Sequence, residues 1–341
     1  MKRFIFFFVS LFFGLGLFYW VVKTIGFGTI IKAFDGFNAS QGAVIVGISL
    51  LSLFIENWKW REVLNAQGVR VPFFGLLAIF CVGWAASYLA PMALVGSEIS
   101  RGYFLNKKYG VSWPKGISSV VINRILSWTM NLIFIFGGLS FFLSSIGLLS
   151  KKMSVVLFVP LFVFTFAASA FYIYSFGRGK GPKSLLGFFS RRADKSAGPW
   201  REVFEVEQEI LGFFKPKNPA LWRTLAISFL KMAVVLLRTW ILVFFLARAI
   251  NFLPAVSLLG FSLLTAMIPI PANLGSHEAV QALAFGLLGL GEGQAVAFTM
   301  VIRASELLVA FIGALFVLKL GIDILKRTLF RTAERLRVNN E

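Results

Sequence analysis

The chain has 341 residues, 58% of them hydrophobic and only 14% charged, with a formal net charge of +19, a balance that excludes an ordinary soluble globular protein. Its 34 Lys and Arg residues stand between apolar runs, so the charge reads as membrane topology and attraction to anionic headgroups, not as nucleic-acid binding. One cysteine, Cys81, excludes an internal disulfide, and one histidine, His277, excludes a multi-histidine metal centre. No metal and no cofactor is expected.

In chain order, Met1-Lys2-Arg3 precedes the apolar run Phe4–Val22, which is long and lacks a small-x-small cleavage site, so it is expected to stay as a first helix. A second span covers about Ser40–Asn57, and Lys59–Arg70, with three basic residues, follows on the cytoplasmic side. Val71–Ser97 has 27 residues without a charge, yet a single crossing there would put the basic segment Arg101–Lys115 on the wrong side. A re-entrant hairpin broken at Pro91 and Gly96 removes the conflict. Spans over about Ile117–Ile146 and Met153–Phe176 then lead to the loop Arg178–Arg223, which holds ten basic residues.

The second half repeats the problem and its solution. About Ala220–Leu246 and Ala295–Leu320 cross, while uncharged Ala249–His277 between them is broken at Pro269, Pro271 and Gly275 and reads as a second hairpin. Segment Arg191–Phe214 reads as an amphipathic surface helix. Trp58, Trp60 and Trp113 flank spans as interfacial anchors.

The predicted fold is an all-α, polytopic integral membrane protein of about six full spans plus two re-entrant helical hairpins arranged as an inverted repeat. Repeat 1 covers about 40–147 and repeat 2 about 220–320, within one transmembrane domain of residues 1–321. The basic loop 177–219, the basic tail 322–341 and both termini face the cytoplasm of a cell inner membrane.

The two hairpins match in sequence. Pro91-Met92-Ala93-Leu94-Val95-Gly96-Ser97-Glu98 aligns with Pro271-Ala272-Asn273-Leu274-Gly275-Ser276-His277-Glu278, and each glutamate is followed by an arginine within an apolar helix. Glu98 to Arg124 is 26 residues and Glu278 to Arg303 is 25, in the contexts Val121-Ile122-Asn123-Arg124 and Val301-Ile302-Arg303. Each break leaves a half-helix N-terminus in the bilayer, with Ser97 and Ser276 as caps. Such an end favours an anion unless the glutamate of its first turn already satisfies it.

A charge at mid-membrane costs at least about 2.5 kcal/mol and usually faces a partner or a cavity. Glu98, Glu278 and Glu306 are the acids expected within the membrane. Candidate partners for Arg124 and Arg303 are Glu98 and Glu278; Arg303 also has Glu306 three residues on as a local pair, whereas Arg124, beside Asn123 and without an acid in its own helix, is the better candidate for a ligand contact. Lys231 and Arg238 share a helix face, and Lys231 is expected to snorkel outward. The candidate substrate-binding set is Glu98, Arg101, Asn123, Arg124, Glu278, Arg303 and Glu306. No catalytic residues are assigned, and Gly177–Ser184 carries Pro182 where a phosphate-binding loop needs glycine.

These motifs resemble the transmembrane region of the lysylphosphatidylglycerol synthases and their stand-alone flippase-like relatives. The carriers are Asn57-Trp58-Lys59-Trp60-Arg61, the segment Pro91…Gly96-Ser97-Glu98…Arg101, the Arg124 helix, Pro271…Gly275-Ser276-His277-Glu278 and the Arg303 helix, within about Trp58 to Leu320. The resemblance implies a lipid-translocating membrane domain without the aminoacyltransferase domain of the full synthases, which would follow the last helix. Ser97 departs from the family's glycine directly before the acid.

The function expected is therefore a flippase-like transporter of an anionic or phosphate-bearing lipid, such as a phospholipid or a polyprenyl-phosphate-linked sugar. Its partners are membrane lipids and, beside them, an enzyme of lipid or cell-envelope biosynthesis. The competing readings are a membrane-embedded transferase acting on a lipid-linked substrate, and a membrane anchor for such an enzyme.

Overall fold

The computed structural model describes residues 2–89, 96–146, 151–176, 199–248, 251–267, 270 and 273–338. Among these residues there are twelve helices and no strand. They are α1 (Lys2–Ile25), α2 (Phe27–Ala33), α3 (Ala39–Ala66), α4 (Phe73–Leu89), α5 (Gly96–Tyr109), α6 (Trp113–Ile146), α7 (Lys151–Phe176), α8 (Pro199–Phe213), α9 (Pro219–Ala247), α10 (Leu253–Thr265), α11 (Ser276–Leu287) and α12 (Glu292–Val338). The expected breaks Pro91, Pro269 and Pro271, and residues 177–198 of the basic loop 177–219, lie outside the described residues.

Local chemistry sets the helix ends. Asn38 accepts the Gln41 N–H at 2.9 Å while Gln41 Oε1 accepts the Asn38 N–H at 3.2 Å, a reciprocal cap that starts α3. Asn218 caps α9 by accepting the Ala220 N–H at 3.1 Å, with Pro219 in the first turn, where its missing N–H costs nothing. Gly26, at φ 89°, separates α1 from α2, and the chain bends by 82° there.

Helices α1, α3, α6, α7, α9 and α12 take up the six segments expected to cross. By length and apolarity, four described stretches suffice for a crossing: Ala39–Ala66, Trp113–Leu143, Pro219–Ala247 and Glu292–Phe316; counted as one broken span, the bent pair Leu15–Ile25 and Phe27–Ala33 brings the number to five. Large apolar side chains, among them Phe12, Trp20, Phe162, Phe166 and Phe311, face outward, as a hydrocarbon solvent allows.

The short apolar helices belong to two helical hairpins. Gly75 at the start of α4 packs against the Tyr109 hydroxyl at the end of α5, so the chain enters and leaves this segment at one end of the bundle. In the second hairpin Gln281 of α11 donates to Leu258 O at 3.0 Å and to Ser262 Oγ at 2.7 Å, and His277 Nε2 lies 3.1 Å from Ser262 Oγ, an antiparallel register against α10.

Each hairpin packs on the far half of the chain. Helix α4 lies along α12, and α10 lies along α6; α3 packs on α9, with α3 also touching α6 and α12, and α9 touching α12 and α6. Glycine makes the closest of these contacts. A Cβ on Gly138 of α6 would stand 2.7 Å from Val256 O and 2.8 Å from Gly260 Cα on α10, whereas one on the adjacent Gly137 meets nothing within 4 Å. Small residues at helix crossings let backbones approach in this way. Gly138→Ala is expected to cost about 1–3 kcal/mol in unfolding from mixed micelles. Gly137→Ala is expected to be neutral or to stabilise by up to about 1 kcal/mol, because alanine favours the helix.

Candidate functional site

Helices α3 and α9 run antiparallel, and each carries two polar side chains seven residues apart on the shared seam: Ser49 and Glu56 on α3, Lys231 and Arg238 on α9. They meet in register. Arg238 Nη1 donates to Ser49 Oγ at 3.1 Å, and Lys231 Nζ lies 3.6 Å from Glu56 Oε2. Seven residues are two helical turns, so the polar layers stand about 10.5 Å apart along the bundle.

The first layer centres on Glu56. Its Oε1 is 2.7 Å from Lys59 Nζ, one turn further along α3, and accepts hydrogen bonds from Asn123 Nδ2 at 3.0 Å and Ser127 Oγ at 3.2 Å on α6. Lys59, fully buried, also donates to Ser127 Oγ at 2.6 Å. Such density of partners is what keeps a buried ion pair tolerable, since each ion loses several kcal/mol of hydration.

Arg101, buried on α5, completes the layer from the side. Its guanidinium sits over the Phe80 ring at 4.4 Å and the Trp60 ring at 5.8 Å, and its Nε has no hydrogen-bond partner. Gly83 makes its space, because a Cβ there would lie 2.2 Å from that Nε. Glu98, one turn before Arg101, lies 3.9 Å from Arg124 of α6, which extends over the Trp128 ring at 5.8 Å.

The second layer centres on Glu278, the first-turn acid of α11. Its Oε2 accepts the Gly275 N–H at 2.7 Å, where Gly275 holds φ 76° and Asn273 φ 50° to turn the chain into the helix. Its Oε1 is 2.6 Å from Arg303 Nη2 of α12, a contact of charges without the alignment of a directed hydrogen bond. Glu306 lies in electrostatic reach of Arg238, Arg303 and Glu278.

The structure thus brings together Glu98 with Arg124 and Glu278 with Arg303, each pair joining a hairpin to the long helix after it. The two pairs differ in access: the Arg124 side chain is 46% exposed, that of Arg303 15%. Asn123 turns away from Arg124 to serve Glu56.

Of the two acids offered to Arg303, Glu278 from the neighbouring helix makes the contact, because the hairpin delivers a fully buried carboxylate to its guanidinium. Several other expectations need correction. Ser276 does not cap α11; Gly275 holds that position, and Ser276 Oγ donates to Asn273 O at 3.1 Å. The glutamate therefore occupies that helix end itself. Lys231 does not snorkel outward but turns toward Glu56. Trp60 is no interfacial anchor: it is fully buried, with Nε1 donating to Ser119 Oγ at 3.2 Å.

The sequence reading also missed Glu56 and Lys59 by ending the span at Asn57, whereas α3 continues to Ala66. Two signals pointed to them: acid and base one turn apart beside Asn57 and Trp60, and a seven-residue spacing on α3 that matches Lys231 and Arg238 on α9. A cleft of about 450 Å³ lies elsewhere, lined by Gln67, Lys115, Glu205 and Glu209 among others, and holds no residue of either layer.

Residues 7–314 match the family profile of the lysylphosphatidylglycerol synthase TM region. The chain belongs to this family. It is also similar to a UPF0104 membrane protein of Methanocaldococcus jannaschii, 22% identical over 317 residues that cover 89% of this chain and 92% of the relative. A UPF0104 membrane protein of Pyrococcus horikoshii is 24% identical over 293 residues, covering 81% of this chain and 86% of that one. Family membership and the apolar helices together make the chain a multi-pass membrane protein.

Proposed function

We propose that the protein translocates an anionic or phosphate-bearing lipid between the leaflets of the cytoplasmic membrane, without chemical change to the headgroup. The observation that carries this reading is the pair of acid–arginine contacts, Glu98 with Arg124 and Glu278 with Arg303, each joining a short hairpin to a long helix. Arginine presents a planar fork of donors suited to phosphate oxygens.

The helix pairing supports an inverted repeat. Exchanging α3 with α9, α4 with α10, α5 with α11 and α6 with α12 turns the α4–α12 contact into α10–α6, α3–α4 into α9–α10, and α5–α6 into α11–α12, all of which occur. Two opposed halves that meet at a polar seam can rock between states open to either side, as many secondary transporters do. In this reading α4–α5 and α10–α11 are re-entrant, which accords with helices of 17, 14, 13 and 12 residues, each shorter than the about 20 a crossing needs. Both termini then lie in the cytoplasm, and transport is passive or driven by an ion gradient.

The test is a dithionite-quenching assay in proteoliposomes carrying fluorescent phosphatidylglycerol, phosphatidic acid or phosphatidylcholine. Vesicles with the protein are expected to lose fluorescence beyond the outer-leaflet half for at least one acidic lipid. Loss that stops at half for all three, as in protein-free vesicles, contradicts the proposal.

A further inference from the structure

The two polar layers differ in charge. Around Arg303, among the described residues, two acids, Glu278 and Glu306, stand with two bases, Arg303 and Arg238, equal in number. Around Glu56, among the described residues, two acids, Glu56 and Glu98, stand with four bases: Lys59, Lys231, Arg101 and Arg124. The six form one electrostatic group, since Arg101 is in reach of Glu98, Glu56 and Arg124, and Lys59 is in reach of both Lys231 and Arg101. The next charges along α3, Arg61 and Glu62, cancel.

Two uncompensated positive charges within a membrane helix bundle are costly unless an anion neutralises them. The geometry separates a fixed part from an open part. Lys59 is committed to Glu56 by the 2.7 Å contact and is fully buried. Arg101 is held between rings with a buried, unpaired Nε. Lys231 is 3.6 Å from its acid with its side chain 25% exposed, and Arg124 is 3.9 Å from its own with 46% exposed. The two loosely paired, accessible bases thus belong to the same charge group as Arg101 with its unpaired Nε.

We propose that this layer binds a phosphate group carrying two negative charges, a monoester rather than a diester, with Arg101, Arg124 and Lys231 as its ligands. Near neutral pH a monoester carries close to two charges and matches the surplus; a diester carries one and leaves a charge unmatched. The inference rests on the translocation reading only in taking the bearer of the phosphate to be a lipid.

The test is calorimetric binding of dihexanoyl phosphatidic acid, dihexanoyl phosphatidylglycerol and inorganic phosphate to the full chain in detergent at pH 8. Phosphatidic acid is expected to bind about tenfold more tightly than phosphatidylglycerol. Lys231→Gln is expected to remove most of that preference, whereas Glu98→Gln, which raises the surplus, tightens phosphatidic acid, a change that a folding defect does not produce. Arg223→Gln, exposed at the start of α9, leaves the preference unchanged.

Inorganic phosphate binding as tightly as phosphatidic acid supports the site and assigns it a water-soluble bearer. Equal affinity for the two lipids, or weaker phosphatidic acid binding by Glu98→Gln, overturns the proposal. A protein that moves both lipids alike with no charge preference leaves translocation standing without this site; one that shows the preference and moves no lipid does the reverse.

Discussion

Glu56→Ala is expected to lower the unfolding free energy in mixed micelles by about 3–5 kcal/mol, among the largest losses available to a single substitution in this chain. The substitution strands Lys59, fully buried and 2.7 Å from the carboxylate it loses, with only the Ser127 hydroxyl as a partner. Asn123 loses its acceptor in the same step. The double change Glu56→Gln with Lys59→Met removes both charges, retains an acceptor for Asn123, and is expected to recover most of the loss. A single substitution that costs under about 1 kcal/mol, or a double that costs the sum of the singles, contradicts a coupled buried pair.

The second large effect separates the two arginines. Arg303→Ala leaves Glu278, fully buried, without its counter-charge and is expected to cost about 3–5 kcal/mol. Arg124→Ala removes a 3.9 Å contact of a half-exposed side chain and is expected to cost under about 1 kcal/mol. Glu278→Gln combined with Arg303→Met is expected to restore much of the stability, because glutamine still accepts the Gly275 N–H that starts α11. Unfolding midpoints of the four proteins check this ordering; equal losses for Arg124→Ala and Arg303→Ala contradict it.

Much of the site was legible from spacing alone. Two hairpin segments with proline, leucine and glutamate in register and a Gly-Ser pair displaced by one residue, each followed by an arginine at nearly equal distance, lead to the Glu98–Arg124 and Glu278–Arg303 contacts. The helices were legible because apolar length in a bilayer leaves few alternatives to a helix. The layer around Glu56 was not, for a physical reason. Charge density after Asn57 imitates the end of a span, and only packing against α6 and α9 shows that Glu56 and Lys59 turn inward.

Direction was the second obscure quantity. A lysine such as Lys231 has a stem long enough to reach either an interface or a buried acid, and its position in the helix does not decide between them. The decision comes from Glu56 standing opposite it on an antiparallel neighbour. For Arg303 the sequence offers two acids, Glu306 near along the chain and Glu278 across the hairpin, and the fold selects Glu278.

The central claim is that lipid headgroups cross at these paired sites, and Arg124 tests it most directly because its removal is expected to leave the fold intact. The measurement is the rate of transbilayer movement of fluorescent acidic lipid in proteoliposomes of Arg124→Ala, beside its unfolding midpoint. The account predicts a rate reduced to that of protein-free vesicles with the midpoint nearly unchanged. Movement at the native rate, with the arginine gone and the protein folded, contradicts it.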